Sequence, residues 1–188
     1  MSDTFARMEE CLAAAAHPGE KSLEMLLRAF ADPAWEVRYA AAVALGDLRD
    51  PAAVDALLAL LRQEDAAPLF TQTDEVLAQA GSTRQTDVKL PEKIDAFTLD
   101  AWRRRGRIKQ AACMALGTIA KPDPRVLEVL HRYAVDTAQD YMVRAAACKA
   151  LGQIASPASK PALEHAINDE EWCTKTEAMR SLGIVSRR

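Results

Sequence analysis

The chain has 188 residues, 49% of them hydrophobic, a net charge of −3 and four cysteines. A charge this close to zero argues against a global pull toward nucleic acid or anionic membrane, and four cysteines without a Cys-x-x-Cys pair argue against a disulfide framework or a structural zinc. Apolar stretches are broken by Asp or Arg well short of the ~20 residues of a spanning helix, and no basic region precedes an apolar run at the N-terminus, so a soluble, cytoplasmic protein is expected.

In chain order, Phe5, Met8, Leu12 and Ala15 stand at helical spacing behind Ser2 or Asp3 as N-cap, and His17-Pro18-Gly19 ends that helix. Leu23, Leu26, Leu27 and Phe30 form the apolar stripe of a second helix, which Asp32-Pro33 closes. Val37, Ala41, Ala44, Leu45 and Leu48 line one face of the next helix; Asp50-Pro51 then restarts the chain, and Val54, Leu57, Leu58 and Leu61 repeat the earlier stripe.

Residues 63–107 leave this rhythm. Asp74 to Ala80 reads as a short helix stopped by Gly81, Ser82 to Leu90 as a polar segment without period, Pro91 as a break, and Phe97, Leu99 and Trp102 as the return to the core. The pattern resumes at Ile108 to Ile119, passes Asp123-Pro124, and continues with Leu127, Leu130 and Ala134. Tyr141 to Ile154 forms the next helix, Pro161 opens one bearing Leu163, Ala166 and Ile167, and Trp172 to Val185 forms the last.

Several columns recur in register. Gly46, Gly117, Gly152 and Gly183 each follow a leucine; eight positions earlier stand the cations Arg38, Lys109, Arg144 and Lys175, and four positions earlier the apolar Ala42, Cys113, Cys148 and Met179. The last two glycine steps are 35 and 31 residues and the first is 71, which holds an insertion or one degenerate repeat. A period in this range predicts an all-α fold, an α-solenoid in which antiparallel helix pairs stack into a right-handed superhelix. It is expected as a single domain over 1–188, irregular at about 63–107. In each pair, the helix ending in Leu-Gly is expected on the outside and the Leu-rich helix on the inside.

The pattern Asp-x-x-x-x-Val-Arg-x-Ala-Ala-x-x-Ala-Leu-Gly, followed by Pro and a Leu-rich helix, resembles the HEAT-like repeats first grouped with phycobilisome lyase subunits. The resemblance covers most of the chain outside residues 63–107 and implies fold more than function, because such proteins include scaffolds, chromophore lyases, a metal-dependent hydroxylase and DNA-repair proteins. It also implies that Asp32 caps the helix after it and pairs with Arg38. The hydroxylase members carry His-Glu pairs as metal ligands; no His-Glu dipeptide occurs here, and His17, His131 and His165 fall in different columns, so no metal or other cofactor is expected.

Four features are candidates for function. Glu24, Asp55, Glu128 and Glu164 each follow the first stripe residue of a Leu-rich helix, so on an inner face they would form an acidic stripe for a basic segment of a partner protein. The plainer reading is favourable placement near helix N-termini and i,i+4 pairing of Glu24 with Arg28 and Glu128 with Arg132. Trp102, Arg103, Arg104 and Arg105 head a run of cations that would contact phosphate, with Trp102 stacking on a base, or simply form a solvated charge run. Trp35, Tyr141 and Trp172 recur in register two residues before Val37, Val143 and Thr174, which points to packing. Cys11 and Cys173 lie outside the Cys113/Cys148 column and read as ordinary thiols.

No nucleophile motif, phosphate-cradling loop or catalytic carboxylate pair stands out. The leading reading is a non-catalytic protein–protein scaffold or adaptor that binds its partner on the concave face. Alternatives are a phycobilin lyase-like, chromophore-handling subunit and a nucleic-acid-associated repeat protein, although nucleic acid and membrane are not the expected partners. Oligomeric state stays open, because the last helix has no following partner.

Overall fold

The computed structural model describes residues 3–66, 77–78 and 96–185, with the side chains of residues 96 and 97 left aside. Of the short helix expected at Asp74–Ala80, only Leu77 and Ala78 are described, and they are helical; the expected polar segment Ser82–Leu90 and the break at Pro91 lie outside the described residues.

Nine α-helices run in order among the described residues: α1 (Asp3–Ala14), α2 (Glu20–Ala29), α3 (Trp35–Leu48), α4 (Val54–Asp65), α5 (Ala96–Ile119), α6 (Pro124–Val135), α7 (Tyr141–Ile154), α8 (Lys160–Ala166) and α9 (Trp172–Ser181). Single 3-10 turns at Pro51–Ala53 and Pro157–Ser159 lead into α4 and α8. The starts are written in the sequence: Asp50 accepts from Ala52 N, Asp123 from Arg125 N and Asp140 from Met142 N, the first two with Pro in the first turn. The fold is an all-α solenoid.

The helices form two layers. The odd-numbered helices α1, α3, α5, α7 and α9 pack side by side as a continuous sheet of helices, while the even-numbered α2, α4, α6 and α8 each pack on an odd helix and make far sparser contact with one another. Side-chain size explains the difference. Ala40, Ala41, Ala42, Ala44 and Gly46 of α3 and Ala145, Ala146, Ala147 and Ala150 of α7 are buried, so odd-layer backbones approach closely. A Cβ built on Gly117 would lie 2.6 Å from Ala150 Cα, and one built on Gly46 would lie 3.0 Å from Ala115 Cα. Whereas Gly183 follows the end of α9 at a left-handed φ of 73°, where a Cβ would meet nothing within 4 Å, the glycine column at Gly46, Gly117 and Gly152 is therefore a contact device, not a helix stop. The helices end three residues later, where Arg49, Ala120 and Ala155 take left-handed φ values of 55°, 54° and 55°.

A stack packed more tightly in one layer than in the other bends toward the tighter layer. The odd helices thus line the inner side of the arc and the Leu-rich even helices the outer side, the reverse of the arrangement expected from sequence. The physical reason is that small residues shorten the spacing between odd helices, whereas leucines and long ion-pairing side chains hold the even helices apart.

The first helix joins the repeat without the glycine that marks the others. Arg7 donates to both oxygens of Asp32 at 2.8 and 3.2 Å, as Arg144 does to those of Asp169 at 2.7 and 3.0 Å, with 25 residues between the partners in each case. That register puts Cys11 in the Cys113/Cys148 column, correcting its placement outside it, and Cys11, Cys113 and Cys148 are all buried. Burial raises the Cys11 thiol and pushes those of Cys113 and Cys148 up to about 12, so they act as small apolar residues.

Candidate functional site

Three members of the cation column, Arg38, Lys109 and Arg144, lie in the seam between layers. Arg38 donates to Glu64 at 3.2 Å and to the carbonyls of Asp32 and Pro33. Lys109, almost fully buried, pairs with Asp65 at 2.6 Å and donates to Gln139 at 3.0 Å. Arg144 also donates to the Gln139 carbonyl at 2.6 Å. These bonds hold the turns between helices and leave the seam cations committed to the scaffold. Asp32 does not cap α3 as the resemblance implied: its carboxylate accepts from Ala34 N and Arg7, while Arg38 takes only its carbonyl. Arg7 holds the Asp32 carboxyl below its ordinary range.

The expected acidic residues stand on the even helices, hence on the outer side. Glu24, Asp55, Glu128 and Glu164 are all exposed. Glu24 pairs with Arg28 at 3.1 Å, Asp55 with Arg125 at 2.8 Å and Glu164 with Lys160 at 3.7 Å. Arg132 turns away from Glu128 to Asp65, at 2.8 Å.

The run beginning at Trp102 is divided by the helix that carries it. Trp102 is 3% exposed, packed with Leu77 and Leu99, and has no ring face open to a base; Arg105 is also buried and partnered. Arg103, Arg104 and Arg107 are exposed, with Arg104 paired to Asp100 at 2.6 Å and its guanidinium 5.7 Å from the Trp35 ring. Residues 96–107 are the first half of α5, not an irregular lead-in. The aromatic column is uneven: Trp35 packs on the core, Tyr141 is half-buried and Trp172 is 62% exposed.

What the fold gathers in place of these is the solvent face of the odd helices. Counting back from the glycine column, and from Ala15 in α1, the positions ten, seven and three before it and one after it point away from the even layer. In the first three odd helices, which pack side by side, these positions hold Phe5, Met8 and Leu12 in α1, Tyr39 and Val43 in α3, and Gln110 and Met114 in α5, the residues of α3 and α5 lining one cleft. Phe5, Leu12 and Tyr39 are 39%, 45% and 37% exposed, three of the large apolar side chains least covered in the described chain. In α7 two of the four columns are polar, Lys149 and Gln153, and the other two hold Met142 and the buried Ala145.

Within this face a cleft of about 300 Å³ opens between α3 and α5. Tyr39, Val43, Met114 and Thr118 form its walls with Asp47 and Gln110, and Gly46, Ala111 and Ala115 its floor. Thr118 spends its hydroxyl on the Met114 carbonyl at 2.9 Å. Tyr39 lies against Trp35, ring centroids 6.4 Å apart, and the Trp35 Nε1 is buried without a hydrogen-bond partner among the described residues. Periodicity does not single out Tyr39, Val43, Asp47 or Met114; the signal for Tyr39, Val43 and Met114 is an apolar residue at a solvent-facing position of an otherwise consensus helix, and Asp47 carries none.

HEAT repeats match residues 6–78 and 103–183. The chain belongs to the HEAT-repeat family. A solved structure of human deoxyhypusine hydroxylase in complex with glycerol is similar at 18% identity over 97% of this chain and 80% of that one, with a TM-score of 0.39. A search of curated proteins gives no match. In this HEAT-repeat chain no group of three or more His, Cys, Asp or Glu side chains is arranged to hold a metal ion among the described residues. His131 instead shares a 3.1 Å hydrogen bond with Ser159, and burial lowers its pKa. No described helix is long and apolar enough to cross a membrane.

Proposed function

We propose that this HEAT-repeat protein is a non-catalytic scaffold that holds a segment of a partner protein on the inner face of its odd helices. The observation that carries this reading is the exposed apolar side chains Phe5, Leu12 and Tyr39 of α1 and α3, with the half-buried Val43 and Met114 lining the cleft beside Tyr39. The acidic even-helix residues support it less, because three of the four already hold a cation.

Affinity capture of the tagged chain with quantitative mass spectrometry tests the reading. Tyr39→Lys combined with Met114→Lys is expected to deplete the captured partner at least tenfold while the circular-dichroism melt is retained. Glu128→Lys combined with Glu164→Lys should leave capture unchanged. The opposite pattern would move the binding face to the outer side and defeat the proposal.

A further inference from the structure

The cleft between α3 and α5 also indicates the chemistry of its occupant, an inference that rests on the scaffold reading. Asp47 is its only charged lining residue, and it is exposed with no ion pair among the described residues. The seam carboxylates Asp32, Glu64, Asp65 and Asp169, by contrast, are each matched to a cation. The other walls are apolar or internally bonded: Tyr39, Val43 and Met114 carry no charge, and the Thr118 hydroxyl is already engaged. At about 300 Å³ the cleft is at the small end of ligand pockets, sized for one or two side chains.

We infer that the cleft takes an apolar side chain of a partner protein segment, with a lysine or arginine of the same segment placed on Asp47. The spacing follows from helix geometry. Tyr39 and Asp47 are eight residues apart on α3, roughly 12 Å along its axis at about 1.5 Å per residue. An extended segment covers that length in about four residues, at about 3.3 Å each. The occupant therefore has an apolar residue and a basic residue about four positions apart, an even separation that puts both side chains on one face of the extended segment.

A displayed library of random dodecamer peptides, selected on the immobilised full chain, tests this. Selected peptides are expected to carry the apolar–basic pair, and fluorescence anisotropy should show affinity falling at least tenfold for Asp47→Lys. Replacing the peptide's basic residue by Glu should abolish binding to the natural chain and restore it to the Asp47→Lys variant. Peptides that lose binding to Met114→Lys yet are indifferent to Asp47→Lys would overturn the inferred chemistry and leave the scaffold reading standing. Selected peptides indifferent to both substitutions would overturn the two together.

Discussion

The odd and even helices are built from different alphabets, and the difference assigns them different work. In α3 and α7 buried residues occupy most of the circumference because alanine and glycine admit a neighbour on either side. In α6 only Val126, Leu130, Tyr133 and Ala134 are buried, a single stripe that seats the helix on the odd layer. Small residues thus set the spacing of the stack and its direction of bend, and large ones supply core volume. The positions of the odd helices that face solvent are spared from both tasks, and there the exposed apolar side chains Phe5, Leu12 and Tyr39 are found.

The largest effect should come from the seam where the layers meet. Asp65 accepts from Arg132 and Tyr133 at 2.8 Å each and pairs with Lys109, so Asp65→Ala leaves an almost fully buried ammonium with only neutral neighbours, Gln139 and the Tyr133 ring 5.5 Å away, among the described residues. A loss of about 3–5 kcal/mol in urea unfolding is expected, as for breaking one side of a buried pair. A loss under about 1 kcal/mol would class this pair with exposed surface bridges and remove the seam from the comparison.

Next in size is the spacing of the odd layer itself. Gly117→Ala puts a methyl 2.6 Å from Ala150 Cα, against backbone that cannot step aside, and should cost about 1–3 kcal/mol despite the better helix propensity of alanine. Gly46→Ala, at 3.0 Å from Ala115 Cα, should cost less. Equal stability of both variants and the natural chain would break the argument that glycine sets the spacing.

The smallest effect is on pH dependence. The Arg125 hydrogen bonds hold the Asp123 carboxyl at about 2, and Arg7 lowers that of Asp32; burial alone would raise Asp65, but the bonds from Lys109, Tyr133 and Arg132 keep it below its ordinary value. Carboxyls lowered in the folded state contribute stability that is complete above the unfolded value of about 4 and is lost as pH falls toward their folded values. The urea midpoint should therefore drop as pH falls from about 4 toward about 2. Asp140 has the opposite sign: burial raises it despite Arg107, Arg144 and Arg103, so its ionisation opposes folding as pH rises past about 4. Asp140→Asn keeps an acceptor for Met142 N and is expected to gain stability at neutral pH relative to pH 3, read from the same urea curves.

Much of the fold is legible in single residues. Arg38, Lys109 and Arg144 mark the register, Asp50-Pro51 and Asp123-Pro124 mark helix starts, and Cys113 and Cys148 occupy small apolar positions, each for a reason local to one helix. The site is far less legible. Trp102 and Arg105 look accessible beside other arginines until α5 turns them inward, and Tyr39 looks like one more residue of a consensus helix until Met114 is brought across from it.

The sequence by itself determined that this is an α-solenoid, the register of its repeats and the column of cations along its seam, because periodicity and capping act over a few residues. Only the tertiary structure decided that α1 belongs to the same register through Arg7 and Asp32, that Asp65 is the partner of Lys109, and that the Ala/Gly helices form the inner side. Those outcomes depend on distances between helices, and such a distance is set jointly by two surfaces far apart in the chain.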